Sequence, residues 1–332
     1  MELSEIRQDK VTRQWVIYAP SRRKRPSDFR KPEEGEAVPS SDPGCPFCPV
    51  NEKMLPPIIG EYRNSDDLVQ VRVVPNKYPA LSPQGNLERS CEGIYLKMGG
   101  YGHHEVVIET PRHDLQLGEM SVGEVEEIIR AYHHRYLALM KEHENMMVII
   151  FRNHGARAGT SLIHPHSQII ATGMVPGHVR WREDAAQRYY DEFGRCVYCD
   201  ILVHEVSDKR RIVYENSFFA AFVPFAAEVP FEVWIMPKKH QADFGDISAA
   251  EQRDLASALR HILATLHQRL DDPDYNYVIN TSARYRAREP QLHWYLQVRP
   301  RLMTMAGFEF GSGIHINPSL PEEDAAFLKG ES

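Results

Sequence analysis

The sequence predicts an α+β fold built from two tandem copies of one unit, each an antiparallel sheet with packed helices. Three observations carry this prediction. An order of strand, helix and strand occurs twice, a C-x-x-C pair precedes each occurrence, and histidines fall at matching places in both. With only two copies, the repeat is a duplication and not a solenoid.

In the first copy "VVIETPRH", from Val106, is a short β-rich run ending at His113. In the segment that follows, Val125, Ile128, Ile129, Tyr132 and Leu139 recur at helical spacing and predict an amphipathic helix. "MMVIIF" is the next strand. In the second copy "VWIMPKKH" ends at His240, "DISAAEQRDLASALRHILATLHQRL" supplies the helix and "YNYVIN" the strand. "HPHSQI" at His164 then aligns with "HWYLQV" at His293, matching Gln168 to Gln297. His113 and His164 are 51 positions apart, His240 and His293 are 53. Upstream, "VRVVPNKYPAL" aligns with "RIVYENSFFAAF", which puts Asn76 in register with Asn216. The seam is expected after Pro176, giving units 1–176 and 177–332, with "VRWREDAAQRYYDEFG" as a charged connecting helix.

Composition removes several classes. The 332 residues suffice for two cores. With 39 basic and 46 acidic residues the formal net charge is −7, which disfavours a broad grip on a nucleic acid backbone. An anionic ligand must then be held by local groups. The N-terminus lacks a basic segment followed by an apolar one, and no run of about eighteen apolar residues occurs. A soluble, cytoplasmic protein without a membrane partner is expected.

Of five cysteines, Cys45 with Cys48 and Cys196 with Cys199 form C-x-x-C pairs, while Cys91 stands alone. In a long intracellular chain such pairs point to metal or redox chemistry. Two occurrences in Pro- and turn-rich surroundings favour metal. Each half then offers two thiolates and two imidazoles: Cys45, Cys48, His113 and His164, and Cys196, Cys199, His240 and His293. That set suits tetrahedral Zn²⁺ and leaves no open position for water, so two structural zinc sites are predicted. The spacings are far longer than those of a nucleic-acid-binding zinc finger.

Along an extended segment, His164, His166 and Gln168 point to one face. His166 therefore sits beside a metal site on a rigid element. Its imidazole has an unperturbed pKa of about 6.5, so near neutral pH it can attack an electrophile without a separate base. Phosphorus suits it best, because a phosphorus–nitrogen bond is labile enough to be handed on. The preceding "GARAGTS" supplies backbone N–H groups around Gly159 and the hydroxyls of Thr160 and Ser161, with Asn153 as a further donor and Arg157 as a cation. It lacks the G-K-[ST] ending of an ATPase loop. In the second copy Tyr295 occupies the nucleophile position and "TSARYRAREPQL" has no glycine, so only the first half is expected to react.

The opening "RQDKVTRQWVIYAPSRRKRPSDF", "CPFC", "NKYPAL", "TPRH", "GTSLIHPHSQ" and "AGFEFGSGIHINP" resemble the galactose-1-phosphate uridylyltransferase family, a branch of the histidine-triad superfamily, over nearly the whole chain. The resemblance implies two tandem histidine-triad-like half-barrels. It also implies nucleotidyl transfer by double displacement through a nucleotidyl-His166, with Gln168 favouring transfer over hydrolysis. Arg25, Asn153 and Ser161 would contact phosphates and Asn76 would lie by the nucleoside. Glu309, next to Phe308, would read sugar hydroxyls across a homodimer interface. The implied partners are a nucleotide sugar and a sugar 1-phosphate or phosphate. The first activity implied is uridylyl exchange between UDP-glucose and galactose 1-phosphate. The alternative is the ADP-glucose phosphorylase branch, which shares two Cys₂His₂ sites, whereas some uridylyltransferases bind iron at the second. Lys77 replaces the usual Asp and Phe308 the usual Tyr, both in ligand-reading segments. A hydrolase of nucleotide phosphoramidates or polyphosphates and a catalytically silent zinc-stabilised module are readings from other classes.

Overall fold

The structure is a computed structural model that describes residues 3–22, 38–64 and 66–331; Arg25 lies outside these. After β1 (Glu5–Gln8) and β2 (Trp15–Tyr18) come β3 (Gly60–Arg63), β4 (Val69–Pro75), a hairpin of β5 (Arg89–Glu92) and β6 (Tyr95–Met98), and β7 (Gly102–Ile108). The first half closes with α1 (Val122–Lys141), β8 (Met147–His154) and β9 (His166–Thr172). α2 (Gly177–Phe193) leads to α3 (Val197–Asp208), β10 (Ile212–Glu215), β11 (Phe219–Phe222), β12 (Val233–Pro237), α4 (Ala249–Leu270), β13 (Tyr275–Asn280) and β14 (Tyr295–Pro300). α5 (Gly307–Ser312), β15 (His315–Asn317) and α6 (Pro321–Lys329) end the chain.

The two expected sheets are fused. One ten-stranded antiparallel sheet runs β10-β11-β12-β14-β13-β8-β9-β7-β4-β3, symmetric about the contact of β13 with β8. Tyr275 pairs with His154 there and Ile279 with Ile150. Each half would otherwise present an unpaired edge at this point, and joining them removes both.

One face of the sheet is covered by α1 and α4, which pack side by side. Both helices begin alike: Ser121 and Glu124, then Ser248 and Glu251, form reciprocal capping boxes. Val125, Ile128, Ile129, Tyr132 and Leu139 are all buried, as the helical stripe requires. The other face carries His166 and Gln168 in the first half. In the second half it is covered by α2, α3 and a small sheet in which β2 pairs antiparallel with β1 and parallel with β15. The N-terminal strands thus lie on the second half, where the Tyr18 hydroxyl donates to the Ala227 carbonyl at 2.9 Å.

One alignment is not kept. Asn76 follows β4 and donates its backbone N–H to His104 near the start of β7. Asn216 lies between β10 and β11, beside Pro237 at the end of β12. Equivalent strands thus carry the two asparagines at opposite ends, because β4 occupies the place of β11 while its sequence resembles that of β10.

Within the sheet–helix layer, Arg152 and Glu109 form a buried pair at 2.9 Å, with 2% and 0% of their side chains exposed. Gln116 accepts from Arg152, and the Tyr132 hydroxyl lies 3.3 Å from Glu109. Breaking such a pair leaves a desolvated charge and costs about 3–5 kcal/mol. Glu109→Ala is therefore expected to lower the thermal midpoint by many degrees, whereas Glu92→Ala, which breaks the exposed pair with Lys97, should barely move it.

Candidate functional site

Ser167 and Ile169 of β9 turn into the helix layer, where the Tyr132 hydroxyl donates to Ser167 Oγ at 2.6 Å. Alternation then sends His166 and Gln168 to the opposite face. Ile108 of β7 lies opposite His166, Val106 opposite Gln168, and the register of β8 puts Asn153 beside His166. His166 Nδ1 is 2.8 Å from the His164 carbonyl, which can only accept. The proton must therefore sit on Nδ1, leaving a lone pair on Nε2, which has no partner among the described residues. His166 is buried and lines a cavity of about 390 Å³ together with Asn153, Thr160, Ser161 and Arg152. Burial lowers its pKa below the usual histidine value, which keeps the ring neutral at pH 7. Phe47, inside the first C-x-x-C, approaches the ring edge-on with centroids 5.3 Å apart.

The loop after β8 is held from the second half. Gly155 has φ +82°, and a Cβ there would run into the Asp274 carboxylate. Asp274 also accepts the Arg157 backbone N–H at 2.7 Å. Gly159 is left-handed at φ +92°. Thr160 Oγ1 donates to the Leu162 carbonyl at 3.1 Å, and Ser161 is exposed at the cavity mouth. Arg157 is exposed and is not among the lining residues. Gln168 Oε1 lies 2.7 Å from His104 Nε2, a nitrogen that Asn76 Nδ2 approaches to 3.1 Å. Asn76 thus lies against His104, next to Gln168. Phe308 is exposed and Glu309 half-buried on α5, neither among the residues lining this cavity, and N–H groups at the helix start lower the Glu309 carboxyl.

Both Cys₂His₂ groups assemble, with their ligand atoms within 4.8 Å of one another. Zn–S near 2.3 Å and Zn–N near 2.0–2.1 Å at tetrahedral angles require S···N separations of about 3.6 Å. Cys48 Sγ lies 3.5 Å from His113 Nδ1 and 3.6 Å from His164 Nδ1; Cys199 Sγ lies 3.3 Å from His240 Nδ1 and 3.5 Å from His293 Nδ1. Backbone carbonyls fix the tautomers. Thr110 accepts from His164 Nε2 at 2.8 Å and Pro237 from His293 Nε2 at 2.9 Å, so each Nδ1 is free to bind metal. Burial holds His164 at a pKa of about 4, uncharged and ready to coordinate. Both groups can hold metal ions. Cys91 is exposed on β5, remote from either group.

Among the described residues, the nucleophile position of the second half is filled by side chains. Tyr295 is buried, stacked on Trp234 at 4.4 Å and covered by Arg182 of α2. Burial pushes its phenol up to about 12. Gln297 is tied to Glu232 at 2.7 Å. A cavity of about 340 Å³ near Phe222 and Trp234 contains neither a free imidazole of the H-P-H type nor a metal cluster.

His104, Asn276 and Asp274 are site residues that reading the sequence missed. Only His104 carried a signal, since it alternates with Val106 and Ile108 toward the same face as His166.

Residues 1–176 match the N-terminal domain of galactose-1-phosphate uridyl transferase and residues 182–329 its C-terminal domain. The chain belongs to the galactose-1-phosphate uridylyltransferase family. The family and the relatives found are nucleotidyltransferases. ADP-glucose phosphorylase of Arabidopsis thaliana is 38% identical over 98% of this chain and 92% of its own length. Galactose-1-phosphate uridylyltransferase of Thermotoga maritima is 30% identical over 98% of both chains. A crystal structure of the Arabidopsis ADP-glucose phosphorylase with bound ADP-glucose superposes with a TM-score of 0.83, covering 100% of this chain and 99% of that one at 34% identity.

The two metal groups differ in protection: all four first-half ligands are buried, whereas His240 is exposed and Cys199 is half-buried. Elemental analysis should give about two ions per chain. A chelator should release them in two phases, and Cys199→Ser should abolish the fast phase alone.

Proposed function

We propose that the protein is a nucleotidyltransferase that works by double displacement through His166, with ADP-glucose as donor and inorganic phosphate as acceptor. The observation that carries the chemistry is the His166 Nε2 lone pair, freed by the Nδ1 contact to the His164 carbonyl and turned to a cavity bordered by Asn153 and Ser161. The choice of adenylyl transfer rests on the higher identity to ADP-glucose phosphorylase, 38% against 30%, and on the close superposition with its ADP-glucose complex.

Nε2 attacks the α-phosphorus, the bond to the bridging oxygen breaks, and glucose 1-phosphate leaves. Because Nε2 carries no proton, no base is needed for attack. Phosphate then enters, its oxygen forms a bond to phosphorus, the P–N bond breaks, and ADP leaves with His166 regenerated. Amide donors from Asn153 and Gln168 stabilise the charge on the transferring phosphoryl group, while the Gly159 and Thr160 N–H groups close the loop by donating to the Ala156 and Gly155 carbonyls. Ser161 binds at the mouth. Arg25 is assigned to phosphate and Asn76 to the nucleoside. Glu309 and Phe308 act on the sugar from the partner subunit of a homodimer, in keeping with their place on α5 outside the lining of the chain's own cavity.

The metal at both sites is zinc, held by Cys45, Cys48, His113 and His164 and by Cys196, Cys199, His240 and His293. It supplies rigidity, because four-ligand sites contribute folding free energy directly. The catalytic unit is 1–176 and the metal-stabilised silent unit 177–332. Uridylyl exchange between UDP-glucose and galactose 1-phosphate is the second reading, supported by the Thermotoga relative and the matched family domains.

Mass spectrometry after exposure to each nucleotide sugar, without acceptor, should find an adenylyl increment on the peptide bearing His166 and an equal amount of glucose 1-phosphate released. A uridylyl increment would put the second reading first, and sustained turnover in water would remove both. His166→Gly should lose the adduct while keeping about two ions per chain.

A further inference from the structure

The two amides assigned to the phosphate, Asn153 and Gln168, are each gripped on the carbonyl side by a residue outside the cavity lining. Asn276 of β13 donates from Nδ2 to the Ala158 carbonyl at 2.9 Å and to Asn153 Oδ1 at 2.8 Å. A backbone carbonyl only accepts, so the Asn276 amide cannot turn over, and the group facing it on Asn153 must be the oxygen. On the other side, the Ala80 backbone N–H donates to His104 Nδ1 at 3.1 Å. A backbone N–H only donates, which puts the His104 proton on Nε2, 2.7 Å from Gln168 Oε1; Asn76 Nδ2, whose amide oxygen takes the Tyr78 N–H, then lies 3.1 Å from that nitrogen without a hydrogen bond. Neither the Asn153 nor the Gln168 amide nitrogen has a partner among the described residues. Asn153 lines the cavity beside His166, and Gln168 lies two residues along β9 on the same strand face as His166.

We propose that Asn276 and His104 are positioning residues that set the polarity of the phosphate clamp. Each relays the fixed polarity of one backbone group, the Ala158 carbonyl or the Ala80 N–H, into a side-chain amide, so that both amides present NH₂ and not oxygen to the transferring phosphoryl group. Without this, each amide could rotate and offer a lone pair to an anion. The assignment also gives the second half a part in the reaction, since Asn276 comes from β13. It rests on the phosphate roles proposed above for Asn153 and Gln168.

The test is the contrast between removing a relay and reversing it. Asn276→Ala frees the Asn153 amide, which can still turn its NH₂ to phosphate. Asn276→Asp is nearly isosteric but presents an acceptor, so Asn153 turns its NH₂ away and its oxygen toward the phosphate. In single-turnover release of glucose 1-phosphate from ADP-glucose and from UDP-glucose, Asn276→Asp should be slower than wild type by about 100-fold or more, the loss typical of one oxyanion donor. Asn276→Ala should be several-fold to tenfold slower, with the KM for nucleotide sugar changed far less than kcat. A structural role alone would also slow Asn276→Asp, whose carboxylate faces the Ala158 carbonyl, but with KM and the thermal midpoint moving as far as kcat, a result that would overturn the relay. His104→Glu against His104→Leu makes the same comparison at Gln168 and decides the matter if Asn276→Asp does not fold. Equal rates within each pair, or alanine and leucine the slower members, would overturn the relay. A wild type that forms no adduct with either sugar nucleotide would overturn the functional reading first and the relay with it.

Discussion

The structure depends on the register of one strand. Along β9, Ser167 and Ile169 are locked into the layer under α1 by burial and by the Tyr132 hydroxyl, which also meets the Tyr277 hydroxyl at 2.6 Å. A slip of one residue would send these into the cavity and His166 into hydrocarbon, which is why a buried face specifies register so strongly. His164 fixes the same strand at its start, through its carbonyl to His166, its ring N–H to Thr110 and its Nδ1 to the metal group. Three constraints therefore converge on the residue two positions before the lone pair. The first Cys₂His₂ group and the proposed nucleophile are thus joined through this strand, with no ligand shared between them.

Much of this was legible in the sequence because it is local. The order of strand, helix and strand, the helical stripe of α1, the paired C-x-x-C motifs and the H-P-H segment all depend on spacing within a few dozen residues, and both Cys₂His₂ groups assemble as read. What escaped is set across strands. Pairing of β8 with β13 joins residues about 120 positions apart, and no periodicity announces it. The Asn76 and Asn216 alignment failed for a related reason: resemblance between strand sequences does not determine which neighbour a strand takes. β4 sits beside β7, in the place of β11, and its asparagine ends up by His104. The hairpin of β5 and β6 and the pairing of β15 with β2 are long-range choices of the same kind.

The site itself divides in the same way. His166, Asn153, Thr160 and Ser161 were legible because their chemistry lies in one continuous segment, and they border one cavity. Arg157 was read as a charge near phosphate, yet its backbone is what the site uses, held by Asp274 while the guanidinium is exposed. His104, Asn276 and Asp274 contribute through hydrogen bonds to partners 64, 123 and 117 positions away. No single residue type marks such a role, since an asparagine inside a tyrosine-rich strand reads as an ordinary polar face.

Duplication explains both the silence of the second half and its retention. Tyr295 fills the nucleophile position, and the ring is stacked on Trp234 beneath Arg182, so the space that a phosphoryl group would need is occupied by side chains. Gln297, the counterpart of Gln168, donates to the buried Glu232, which removes it as an anion donor and puts a carboxyl where a phosphate would lie. A single exchange of Tyr295 for histidine would leave α2, Trp234 and Glu232 in the way. Yet the half cannot be discarded: β13 covers the edge of β8, and Asp274 and Asn276 hold the loop beside His166 from that strand. With the proposed chemistry in one copy, the other can do without a cavity, provided that β13 keeps its place. The two halves thus form one active unit whose reactive imidazole and whose loop supports come from opposite sides of the duplication.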